Sequence, residues 1–111
     1  MSIHHAAQGE VVDVRPLKQQ IASTKTSTLL KTESMELLRL VMPAGKTIAE
    51  HKAPGEITAH CLEGRIVFSS TGNAQELVAG ELLFLSAGEP HAVEAIEDSS
   101  VLVTILLGKD A

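Results

Sequence analysis

Short apolar runs broken by turn-forming residues follow one another about every ten positions from Glu10 onward. They read EVVDVRPL, STLLKT, MELLRLVM, KTIAEH, EITAHCL, RIVFSS, QELVA, ELLFLS, HAVEAI and SVLVTILL. Runs of this length, bounded by turn signals, are the mark of strands in a sandwich or barrel. MELLRLVM alone has a composition that a helix would tolerate. It meets Pro43 too early to complete one, and so it also reads as a strand. The breaks, among them Pro43-Ala44-Gly45, Pro54-Gly55, Thr71-Gly72-Asn73 and Ala87-Gly88-Glu89-Pro90, hold the residues that tight turns require.

The pattern predicts an all-β fold closed into a small antiparallel barrel, because closure removes the exposed edges that so many strands would otherwise present. Residues 1–8 are polar and Ala-rich and read as a flexible lead-in, with His4 and His5 solvated there. Residues 9–108 then form one domain with no linker and no close repeat.

A chain of 111 residues can bury a core without disulfide or metal staples. Its composition, 44% hydrophobic and 21% charged, is that of an ordinary globular domain and sets disorder aside. Phe68 and Phe84 are its only aromatic side chains, so it lacks the flat faces used to stack on bases. With a net charge of -5 and dispersed Lys and Arg residues, nucleic acid is not an expected partner. Cys61 is the sole cysteine, which fits a reducing compartment. No apolar run approaches membrane-spanning length, and a soluble cytoplasmic protein is the expectation.

The candidate chemistry lies in HKAPGEITAH, residues 51–60, and in GELLFLSAGEPHAVEA, residues 80–95. In the first, Gly45 is followed after five residues by His51, with Ala53, Ile57 and Gly64 further on. In the second, Gly80, Gly88 and His91 recur in order, with Ser86 and Ala95 between and beyond them. The two stretches resemble the paired motifs of the cupins, small single-domain RmlC-like barrels with a jelly-roll or double-stranded β-helix fold. The first cupin motif has histidines at the places of His51 and Ala53 and a glutamate at that of Ile57. The second has proline at the place of Ser86, histidine at His91 and asparagine at Ala95. The resemblance implies a metal centre of three histidines and a carboxylate in the family's metal-dependent members, of which this chain keeps His51 and His91.

His60 is the candidate third ligand. Alternation counted from Ile57 turns Ala59 and Cys61 inward and His60 outward, whereas a one-residue bulge near Pro54-Gly55 would bring His60 beside His51 and His91. Both phases stand open at this point. An inward Cys61 would be a thiolate ligand, a nucleophile or an apolar filler. Glu50 and Glu94 alternate away from the motif histidines, while Glu56, Arg39, Lys46 and Lys52 read as surface charges. The expected ligand pocket comprises Ala53, Ile57, Ala59, Cys61, Phe84, Val93 and Ala95, and is mainly apolar.

Two functions follow. One is a cupin holding a divalent transition metal (Zn, Fe, Ni and Mn are not distinguished) on His51, His91 and His60, with its reaction unassigned. The alternative is a non-catalytic small-molecule binding or sensing cupin with a vestigial metal site. A structural protein whose pocket is vestigial is a third option. Homodimerisation through SVLVTILL and MELLRLVM is expected in each case.

Overall fold

The computed structural model describes residues 4–107, so Met1 to Ile3 of the lead-in and position 108 at the domain's end lie outside the described residues. Nine strands follow in order: β1 (Ser27–Lys31), β2 (Met35–Met42), β3 (Thr47–His51), β4 (Ile57–Glu63), β5 (Arg65–Ser70), β6 (Asn73–Val78), β7 (Leu82–Leu85), β8 (His91–Ala95) and β9 (Ser99–Leu106). All pairings are antiparallel. One sheet has the order β1-β2-β9-β4-β7 and the other β3-β8-β5-β6. The two face each other as a jelly roll, and each predicted run from STLLKT onward forms a strand. No helix among the described residues is long and apolar enough to cross a membrane.

The sheets close on each other because alternate side chains are apolar. Ile57, Ala59 and Cys61 of β4, Ile66 and Phe68 of β5, Val93 and Ala95 of β8, and Val101 and Val103 of β9 are all buried. They share the period of two that places every second residue on one face. With Met42 and Leu77, all of these except Ile57 form one core cluster. β2 and β9 pair without a break from Met35↔Leu106 to Met42↔Ser99, which fixes the phase of the wider sheet. Gly64 joins β4 to β5 at φ 87, and a Cβ there would collide with Asp98 O and Ser99 Oγ. Only glycine fits that corner.

The first predicted strand does not form. EVVDVRPL is irregular and runs into a 3-10 turn, Lys18–Ser23. Pro16 offers no N–H to a ladder, and Val11, 90% exposed, has nothing to pack against. The segment is instead held on the outer face of the wider sheet by two polar anchors. Arg39 of β2, 7% exposed and not the surface charge expected, donates from Nη2 to the carbonyls of Val14 and Arg15. Glu63 accepts from the amides of Leu17 (2.7 Å) and Lys18 (2.9 Å) and from the Ser100 hydroxyl (2.6 Å). Nearer the N-terminus, the Ala6 amide donates to Leu29 O of β1 at 2.8 Å, and His4 pairs with Glu10 at 2.7 Å.

Candidate functional site

β3 and β8 pair through Ile48↔Val93 and then His51↔His91, so β3 spends three residues where β8 spends two. This bulge has a decisive effect. Residues three apart in a regular strand face opposite ways, but here Ile48 and His51 both reach the interior cavity. His51 and His91 thus meet edge to face, with ring centroids 4.3 Å apart and planes at 61°. Phe68 stacks on His91, with centroids at 5.6 Å and planes 26° apart.

Each ring is oriented by the main chain. His51 Nδ1 lies 3.0 Å from Ala49 O, and His91 Nδ1 lies 3.0 Å from Glu89 O. A carbonyl only accepts, so Nδ1 is the donor in both contacts and Nε2 is left free of the main chain. His91 is 4% exposed, whereas His51 stands at the open end.

The cavity beside this pair has a volume of about 260 Å³. Leu38 and Leu40 of β2, Ile48 of β3, Phe68 of β5, and Val103 and Ile105 of β9 contribute large apolar side chains to its wall. Of the residues expected in the pocket, Ala53, Ile57 and Val93 line it. Ala59, Cys61 and Ala95 face inward as expected, but they are sealed in the core at 0%, 0% and 1% exposure and do not line this cavity. Phe84 is 55% exposed because β7 turns Leu83 and Leu85 inward instead. Lys52, expected as a surface charge, reaches the cavity rim together with Pro54.

The phase of β4 is now fixed. Ile57, Ala59 and Cys61 alternate inward without interruption, and the bulge in this strand comes later, between Cys61 and Glu63. His60 therefore lies on the outer face, between its cross-strand partners Leu82 and Leu102, and the three-imidazole set does not assemble. Cys61 is walled off as well. Its thiol lies 3.4 Å from Glu63 O and 3.8 Å from Gly64 O, and burial pushes its pKa up. Neither thiolate ligation nor nucleophilic attack is open to it there.

The wall residues from β2, β5 and β9 were not foreseen as pocket residues. Their inward phase was legible by alternation, but which end of each strand borders a cavity depends on pairing register and on the bulge in β3.

The family model for the cupin domain matches residues 38–107. The chain belongs to the cupin family. No curated protein matches it in sequence. Among solved structures, a conserved protein of unknown function from Streptococcus pyogenes superposes with a TM-score of 0.74 at 21% identity, over 96% of this chain and 95% of that one. An RmlC-like cupin from Desulfovibrio desulfuricans gives a TM-score of 0.68 at 25% identity, over 93% and 97%. A predicted oxalate decarboxylase from Thermotoga maritima gives 0.67 at 28%, over 74% and 78%.

Within this cupin, the donor set can be compared with the centre that the family implies. Open transition-metal sites are built from at least three protein ligands. Here His51 and His91 contribute imidazoles, while Ala53 and Ile57 fill the other two ligand places with methyl and butyl groups. No carboxylate lines the cavity, and among the described residues no group of three or more His, Cys, Asp or Glu side chains comes together. The residues present do not fit that four-ligand centre.

Proposed function

We propose that this cupin binds a small organic anion with an apolar body, acting as a binding or sensing module. The observation that carries the reading is the His51–His91 pair, held by main-chain carbonyls at one side of an otherwise apolar cavity. Each Nε2 donates to the ligand carboxylate, and Lys52 adds an ammonium at the rim. Charge-assisted hydrogen bonds to a carboxylate are strong where the wall around them is apolar. The body of the ligand would rest on Leu38, Leu40, Val103 and Ile105. A volume of about 260 Å³ lies near the small end of ligand sites and suits a molecule smaller than most drugs.

Metal analysis of untagged protein, paired with calorimetric titration of hexanoate, tests this reading. Hexanoate is expected to bind the wild type, and His91→Ala to weaken it by roughly tenfold to a hundredfold, the worth of one charge-assisted hydrogen bond. Stoichiometric transition metal in the wild type, lost in both His51→Ala and His91→Ala, would overturn it in favour of a metal-dependent cupin. That second reading is favoured by the two histidines that remain at family ligand places and by the likeness to a predicted oxalate decarboxylase.

We also propose homodimerisation through the outer face of the wider sheet, where Leu82 and Phe84 are 61% and 55% exposed beside His60. Sedimentation should give a dimer for the wild type and a monomer for Phe84→Glu.

A further inference from the structure

Phe68 borders two cavities. On one side it walls the histidine cavity and stacks on His91. On the other it forms part of a second space of about 320 Å³, with Ser70, Gln75, Leu83, Leu85 and Glu89 around it. That second space lies between β6 and β7, each the last strand of its sheet, so no main-chain ladder closes it. Phe68 is 3% exposed and is the one residue that lines both. Glu89 ties the sides together, since its carbonyl accepts from His91 Nδ1–H and its carboxylate accepts from the Ser70 hydroxyl at 3.1 Å.

We infer that Phe68 is the length gauge of the ligand site: a ligand anchored at His51 and His91 can extend only to this ring, and removing the ring opens a passage to the seam between β6 and β7. The inference rests on the anion-binding reading for the anchor, but not for the partition. Beyond the ring the wall turns from apolar to mixed, with Leu83 and Leu85 facing Ser70, Gln75 and Glu89. A longer chain would first cover leucine and then meet hydrogen-bonding groups. Phe68 is thereby a specificity-determining residue that selects by reach.

The test is a binding series of straight-chain alkanoates from butanoate to decanoate, and the matching alkanols, against wild type, Phe68→Leu and Phe68→Ala. Circular dichroism confirms the fold of each variant, and Phe68→Leu retains most of the core volume should Phe68→Ala fail to fold. In the wild type, affinity should rise about fourfold per methylene while the chain gains apolar wall, then stop rising where it meets Phe68. The break should move to longer chains in Phe68→Leu and further in Phe68→Ala. Leu83→Ala, which enlarges the second space and leaves the ring in place, should keep the wild-type break. An unchanged break in both Phe68 variants, or a shifted one in Leu83→Ala, overturns the inference. If only the alkanols bind and their break shifts, the partition stands and the anion anchor falls. If neither series binds any of the proteins, both fall.

Discussion

Gly55 packs against the main chain of Leu106, so closely that a side-chain carbon on Gly55 would overlap the Leu106 carbonyl. The Leu106 amide donates to Glu56 O at 2.9 Å, which fastens the rim loop after β3 to the end of β9. The same loop carries Lys52, Ala53 and Pro54, and so the rim of the cavity is positioned by a contact with the opposite sheet. Gly55→Ala should destabilise the protein by about 2 to 4 kcal/mol, because the obstacle is backbone and does not yield. Urea denaturation would register this as a lower midpoint at unchanged slope. Hexanoate affinity should fall as well, although Gly55 does not line the cavity.

The alanine and isoleucine at family ligand places make a gain of function testable. Ala53→His combined with Ile57→Glu adds an imidazole and a carboxylate beside His51 and His91, completing a four-ligand set. The double variant should take up one equivalent of nickel or manganese where the wild type does not. Without metal, its melting temperature should drop, because Ile57 is 3% exposed and a glutamate there is desolvated. Added metal should raise it again. A melting temperature indifferent to metal would show that the two positions do not converge on the histidines.

The thiol of Cys61 provides a probe of the core. Desolvation raises its pKa, and it is 0% exposed. In native protein at about pH 8 it should resist a thiol-specific disulfide reagent, and it should react fully once guanidinium unfolds the barrel. Fast labelling under native conditions would place Cys61 nearer the surface than its neighbours Ala59 and Val101 allow.

Glu63 links acid sensitivity to the N-terminal segment. Burial works against its charge, yet the Ser100 hydroxyl, the Leu17 and Lys18 amides and the Arg39 guanidinium outweigh it and hold the carboxyl below its ordinary range. A depressed folded-state value contributes stability that is complete above the ordinary glutamate value, about 4.3, and is lost as pH falls through the folded value. Glu63→Gln should cost about 1 to 3 kcal/mol at neutral pH. The gap between the two melting curves should close as the pH is lowered below about 4. Proteolysis within residues 10–23 should quicken in the variant.

Much of this architecture could be read from alternation alone. Each strand from β1 onward sits on a predicted run, and the core residues Ile57, Ala59, Cys61, Val93 and Ala95 are where a period of two puts them. The failures have local causes. EVVDVRPL carries strand-forming valines, but Pro16 and the clamps from Arg39 and Glu63 hold it as irregular chain. His60 was a candidate only if a bulge fell near Pro54-Gly55. The bulge that matters lies one strand earlier, between Ile48 and His51, where no proline or glycine announces it. Phe68 and Lys52 were missed because a cavity's extent depends on how the two sheets meet, which no single strand encodes.

One hydrogen bond, from the Gly88 amide to Ala53 O at 3.0 Å, ties the loop before β8 to the loop that carries the cavity rim. Selectivity and foldability nevertheless overlap in the wall, since Phe68, Val93 and Val103 belong to the core and also line the cavity. Drift at Lys52, Ala53 and Pro54 can therefore retune which molecule is admitted, generation after generation, whereas Gly55 beside them is held to glycine by the end of β9.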